Sequence, residues 1–194
     1  MVAVSSTTTA PKVEASEPAL TLARLKEVLS YDPVTGVFRW LPRPVRPEFL
    51  RTDRGFNTRC AGKIAGCDNG KGYLVIEIDA VGYKAHRLAW LYMTGRWPKD
   101  QIDHKNRRRS DNRIENLREA TVTENDINGA RPHRRVAPYR GLGFNRQNTN
   151  KPWNAKIAVN KKRISLGYFA TPEEAHAAYC AAAKKHHGEF ASFD

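Results

Sequence analysis

Apolar residues along this chain switch between helical and strand spacing. Leu22, Leu25 and Leu29 recur at helical intervals and predict a short amphipathic helix over residues 20–30. DPVTG then forms a turn, and VFRW reads as a strand. Residues 41–60, LPRPVRPEFLRTDRGFNTRC, show no apolar period. Their Pro and Arg content predicts an irregular loop. In GYLVIEID and AVGYKAHRL the alternation of Tyr73, Val75 and Glu77 with Leu74, Ile76 and Ile78 predicts a β-hairpin, with Gly82 in its turn. Leu88, Leu91 and Tyr92 return to helical spacing, and Gly95 stops that helix. QIDHK and LREAT read as short strands separated by SDNRIEN, a loop or single helical turn. Thr121-x-x-Glu124 is a capping box and Gly129 a stop, so Asn125 falls early in a short helix.

The pattern changes after RPHRRVAP, a basic linker with two prolines. YRGLGFNRQ, PWNAKIAVN and KRISLGYF predict three strands. ATPEEAHAAYCAAAKKHHG predicts a helix capped by Thr171, with Pro172 at its first position, Glu174 completing a capping box and Gly188 at its end. Ala175, Ala178 and Ala182 form a small-residue stripe that would let the helix lie close on a sheet. Because alternate strand residues share a face, Lys156 and Ala158 oppose Ala155 and Ile157, and Arg163 and Ser165 oppose Ile164 and Leu166. One face is therefore basic or small and the other apolar. No internal repeat is evident.

Composition narrows the partners. The 194 residues suit one domain or two small ones. A net charge of +13 points to a polyanion. The charge is uneven: Arg131 to Ser165 holds ten Lys or Arg and no Asp or Glu. Mixed with apolar and aromatic residues, such a block reads as a folded binding face rather than a merely solvated tail. Cys60, Cys67 and Cys180 form no C-x-x-C pair, which excludes a four-cysteine zinc site within one chain and fits a reducing compartment. No apolar run is long enough to span a membrane. The opening MVAVSSTTTAPKVEASEPA lacks the basic and apolar regions of a secretory signal and reads as a disordered lead-in.

The stretch IDHKNRRRSDNRIENLREATVTEN carries the chemistry. Asp103 offers a hard oxygen for Mg2+ or Mn2+. His104 follows it directly, so on a strand the two side chains point to opposite faces. A neutral His104 could take a proton from water while Asp103 held a metal. The carbonyl oxygen of Asn125 is a second, neutral donor, and Asn116 could bond backbone across the loop and fix its shape. Taken alone, an Asp-His pair is more often structural than catalytic, and two asparagines near turns usually serve as caps. The whole string AHRLAW…IDHKNRRRSDNRIENLREATVTEN, however, resembles the HNH endonucleases of the homing and phage type, with their ββα-metal finger, over residues 72–130. LSYDPVTGVFRW and GKIAG…GYLVIEI are similar to the lead-in of such phage proteins. The resemblance implies His104 as general base, Asp103 and Asn125 as ligands of one divalent ion, Asn116 as the brace of the loop, and a 5′-phosphate product. His86, in AHRL, matches a recurrent position and reads as structural. Arg107, Arg108 and Arg109 occupy the family's variable loop and could grip phosphate.

Residues 139–193 resemble the AP2 DNA-binding domain through YRG, Trp153-x-Ala155-x-Ile157, LGYF, EEAHAAYCAAA and HGEFASF. That resemblance implies a sheet laid in the major groove, with Arg140, Lys156 and Arg163 at contact positions and Arg146 in the same loop. Ala158 and Ser165 depart from the family, where larger residues are usual. The expected fold class is α+β: an HNH module followed by a three-stranded antiparallel sheet and one helix. The expected divisions are a lead-in at 1–18, an N-terminal extension at 19–71, the nuclease module at 72–130, a linker at 131–138 and the AP2-like domain at 139–194. The expected activity is metal-dependent cleavage of duplex DNA, in a bacterial host cytoplasm if phage-encoded. The alternatives are a non-catalytic DNA-binding protein on the same scaffold and an RNA-binding module; the absence of an obvious aromatic platform argues against the latter.

Overall fold

A computed structural model describes residues 20–129, 139–160 and 162–193 of the chain. The expected lead-in and the basic linker lie outside them. Among the described residues the protein is a mixed α/β chain of small antiparallel sheets and five α-helices. No helix among them is long and apolar enough to cross a membrane.

Helix α1 (Leu22–Val28) starts at Thr21, whose hydroxyl accepts from the Arg24 amide at 3.1 Å. Strands β1 (Leu29–Asp32) and β2 (Val37–Trp40) form a hairpin. Gly36, in its turn, has φ +72°, and a Cβ there would meet the Arg113 amide nitrogen at 2.5 Å. The hairpin turn is therefore pressed against the backbone at residues 112 and 113. Tyr31, from β1, donates its hydroxyl to the Asn112 carbonyl at 2.7 Å.

Residues 41–60 are not an irregular loop: a 3-10 turn (Pro47–Phe49) leads into helix α2 (Leu50–Cys60). The helix is fixed by polar locks rather than by apolar packing. Asp53 accepts from Arg46 through both guanidinium nitrogens at 3.0 Å, and Asn57 exchanges hydrogen bonds with the Arg43 backbone at 2.8 and 2.9 Å. The hairpin of β4 (Leu74–Ile78) and β5 (Val81–Lys84) does not turn at Gly82 as expected. Its turn is Asp79-Ala80, with φ of 50° and 64°, and Gly82 lies inside β5 opposite Glu77. Arg24 holds Asp79 by two hydrogen bonds, at 2.8 and 3.0 Å. The short β3 (Cys67–Asp68) completes that sheet in the order β3-β4-β5.

Helix α3 (Ala85–Thr94) ends on the left-handed Gly95, as its sequence predicts. Strands β6 (Gln101–His104) and β7 (Leu117–Ala120) pair antiparallel, joined through a 3-10 turn at Ile114–Asn116. Helix α4 (Val122–Asn128) follows, and its capping box is complete. One apolar core, from Leu20 to Leu117, joins α1, α3 and strands β1, β2 and β4 to β7, with Leu25, Leu29 and Leu88 fully buried, while α2 and α4 add no residue to it. Each such leucine contributes about 2 kcal/mol by burial.

The remaining elements form a second core. Strands β8 (Leu142–Phe144), β9 (Trp153–Val159) and β10 (Lys162–Phe169) make an antiparallel sheet in the order β10-β9-β8, against helix α5 (Pro172–His187). The buried stripe of α5 is Ala175, Tyr179 and Ala183, with Ala178 and Ala182 only half-buried beside it. The expected alanine stripe is thus rotated, because Tyr179 rather than an alanine fills the space over Gly141, where a Cβ would lie 2.3 Å from its ring. Glu174 reaches the Ala170 amide at 3.2 Å rather than that of Thr171, which caps the helix from its own hydroxyl.

Candidate functional site

The β6-β7 hairpin and α4 together bring Asp103, His104 and Asn125, but not Asn116, to one cleft of about 570 Å3. Asp103, His104 and Asn125 line it, with Tyr73, Arg107, Arg109, Asp126 and Asn128 among their neighbours. Asp103 and His104 leave β6 on opposite sides, as strand geometry requires, and both are nearly closed off from solvent, at 4 % and 5 % exposure.

Asp103 faces Arg118, its cross-strand partner in the β6-β7 register. Its Oδ2 accepts from Arg118 Nε at 2.8 Å and Nη2 at 2.7 Å. Asn128 donates to Oδ1 at 2.9 Å, to Oδ2 at 3.0 Å and to the His104 carbonyl at 3.0 Å. Asn125 does not reach Asp103 with its amide nitrogen, which donates to Gln101 Oε1. Its Oδ1 accepts no hydrogen bond among the described residues.

His104 sits on the other side, in an aromatic nest. Its ring meets His86 edge-on, centroids 4.9 Å apart, and Tyr73 lies 5.3 Å from His86 and 6.1 Å from His104. His104 Nε2 is buried with no hydrogen-bond partner. Burial lowers the His104 pKa, and Arg109 adds to that, while Asn112 and the carboxylates of Asp103 and Asp111 oppose it. Asn112 comes close enough to favour the cation, yet its own buried Oδ1 makes no hydrogen bond of normal geometry. His86 is more strongly shifted, down to about 3, by burial and then by the His104, Lys84 and Arg87 charges.

The loop between the strands is braced as Asn116 predicts. Asn116 donates to the Asp111 carbonyl at 2.8 Å and accepts from the Asn106 amide at 3.0 Å. The Arg113 guanidinium holds the Asp111 carboxyl far below the usual carboxylate range. Arg107, with φ 62°, and Arg109 line the cleft; Arg109 also lies over the Tyr73 ring at 5.0 Å. Arg108 is exposed and does not line it.

Arg118, Asn128, Tyr73 and Asn112 escape sequence reading. A signal existed for two of them: Arg118 carries the opposite charge on the strand expected to pair with Asp103, and Asn128 lies one helical turn beyond Asn125. Among the described residues no three His, Cys, Asp or Glu side chains stand together as a metal cluster. The carboxylates that line the cleft are Asp103 and Asp126, beside the amides of Asn125 and Asn128.

On the C-terminal sheet, Lys156, Ala158, Arg163 and Ser165 share the exposed face, with Arg163 opposite Ala158 and Ser165 opposite Lys156. Arg146 is exposed in the β8-β9 loop. Arg140 is turned instead toward the first core, donating to the Gly129 carbonyl at 3.2 Å. Ile164 pairs with the buried Ile157 yet is 40 % exposed on β10, the edge strand of the sheet.

A family model described as HNH endonuclease matches residues 83–127, from β5 to α4. The match takes in Asp103, His104, Asn116 and Asn125 and stops before the C-terminal sheet. No curated protein and no solved structure matches the chain.

Proposed function

We propose that the chain is a metal-dependent endonuclease that hydrolyses phosphodiester bonds of duplex DNA. The observation that carries this reading is His104: a buried imidazole biased toward neutrality, its Nε2 unpartnered, beside Asp103 at a cleft within the matched stretch. A neutral imidazole can take the proton of an attacking water. Asn116 positions the loop that leads from His104. Arg107 and Arg109 supply positive charge for the scissile strand.

The donor set fits a hard divalent cation, Mg2+ or Mn2+. Asp103 and the amide oxygen of Asn125 would hold it, with Asn128 beside them. When bound, it stabilises charge on the leaving oxygen. In the proposed assembly the C-terminal sheet, AP2-like in pattern, lies on the duplex through Lys156 and Arg163, with Arg146 nearby; Arg140 serves the contact between the two cores.

One observation favours a second reading. Arg118 and Asn128 already satisfy the Asp103 carboxylate without a metal, as a non-catalytic DNA-binding scaffold would. Supercoiled plasmid with Mg2+, Mn2+ or EDTA separates the two. The endonuclease gives nicked or linear product with metal alone, and His104→Ala lowers the rate by roughly 10²- to 10⁴-fold while still shifting DNA in a gel. Gel shift without cleavage, across several sequences and both ions, would leave only the scaffold.

A further inference from the structure

Helix α2 buries one residue of its eleven, and that residue is Asp53. A helix whose inner face holds a carboxylate contributes little to an apolar core. Its inner side is instead tied down: Asp53 to Arg46, Asn57 to the Arg43 backbone, and Phe56 edge-on to Trp40 at 5.5 Å with Arg43 stacked over it at 3.7 Å. These ties consume the inward-facing arginines. The outward ones remain. Arg51, Arg54 and Arg59 are exposed and pair with no carboxylate among the described residues, and helical spacing gathers them with Thr58 on the outer side.

Gly55 lies among them. Glycine weakens a helix interior relative to alanine, and packing does not require it here. A Cβ at Gly55 would meet nothing nearer than the Arg59 guanidinium at 4.0 Å. The result is a patch of bare helix backbone flanked by three guanidinium groups, held rigid from behind. No residue of α2 lines the cleft.

We infer that this outer face of α2 is a second DNA-backbone contact, a phosphate clamp separate from both the cleft and the C-terminal sheet. The inference rests on the endonuclease reading for its partner, duplex DNA. Guanidinium groups pair with phosphate oxygens in two-pronged fashion, and the missing side chain at Gly55 lets the sugar-phosphate chain approach the helix. The contact is independent of sequence, since no short amide or carboxylate on this face is placed to read bases.

The test is binding of the full chain to a short random-sequence duplex, followed by anisotropy across a salt series. The variants are an Arg51→Gln, Arg54→Gln, Arg59→Gln triple, the matching Arg→Lys triple, and a control triple, Lys26→Gln, Lys99→Gln, Lys185→Gln. Far-UV circular dichroism checks folding. The Gln triple should bind on the order of tenfold more weakly at physiological salt, with a log–log salt slope shallower by roughly 2 to 3. The Lys triple, which keeps the charge but not the two-pronged geometry, should fall between wild type and the Gln triple in affinity while keeping the wild-type salt slope, and the control should lose much less than the Gln triple. Equal losses in the Gln triple and the control would reduce the effect to net charge and overturn the clamp, as would a Gln triple that binds like wild type. A Gln triple that loses affinity for single-stranded RNA but not for duplex DNA would overturn it too. Wild-type protein that binds no duplex would instead sink the endonuclease reading from which the clamp takes its partner.

Discussion

His86 packs its ring edge-on against His104, and both rings lie beside Tyr73. Only one of two adjacent imidazoles can ionise cheaply there, and burial falls hardest on His86, whose pKa drops to about 3. A depressed folded-state value gives stability that is complete above the ordinary histidine range and is lost as pH falls toward 3. Between neutrality and pH 5 the loss on this account is on the order of 2 kcal/mol. Urea unfolding at the two pH values should show it in wild type, and His86→Phe should remove most of the difference. An undiminished difference in the variant would place the acid sensitivity elsewhere. At this scale the sequence spoke unevenly. Asp103, His104 and Asn116 stand where their spacing predicts, because a strand, a turn and a braced loop fix them locally. Asn128 and Arg118 did not announce themselves, because their role depends on which helical turn and which strand register face the carboxylate.

Among the elements, α4 and α2 are opposites. Thr121 and Glu124 name the start of α4 in four residues, and the capping box forms as written. Helix α2 has no apolar period and contains Gly55, so only long-range polar locks reveal it, and those depend on where Arg43 and Arg46 end up in space. The β4-β5 turn misleads for a related reason: Asp79 and Ala80 take left-handed backbone that glycine or asparagine usually fills, with Arg24 holding Asp79 from α1. The N-terminal hairpin shows how one element supports another. Its Gly36 turn abuts Asn112 and Arg113, within the loop that carries Asn116. Gly36→Ala should therefore cost about 2 kcal/mol or more, from both the left-handed backbone and the close approach. It should also slow plasmid cleavage more than it weakens duplex binding. A stability loss with cleavage unchanged would mean that the loop holds its shape without the hairpin.

At the scale of the molecule, two apolar cores meet through few contacts. Arg118 donates to the Glu189 carbonyl at 2.5 Å and lies over the Phe190 ring at 3.8 Å, while Arg140 reaches the Gly129 carbonyl. The C-terminal sheet and helix were legible in outline from alternation and capping, but this junction was not, since it joins residues about seventy apart in the chain. Phe190→Ala should loosen it. Hydrogen exchange should then quicken in β8, β9 and β10 and also in α4, across the junction. Faster exchange confined to the C-terminal strands would mean the cores open independently. The bridge has a thermodynamic corollary. The same guanidinium serves the Asp103 carboxylate on one side and the C-terminal segment on the other, so the two attachments belong to one equilibrium. On the endonuclease reading, a cation that took Asp103 from Arg118 would alter the hold on Glu189 and Phe190, and by reciprocity the seating of that segment would alter affinity at Asp103 by the same factor.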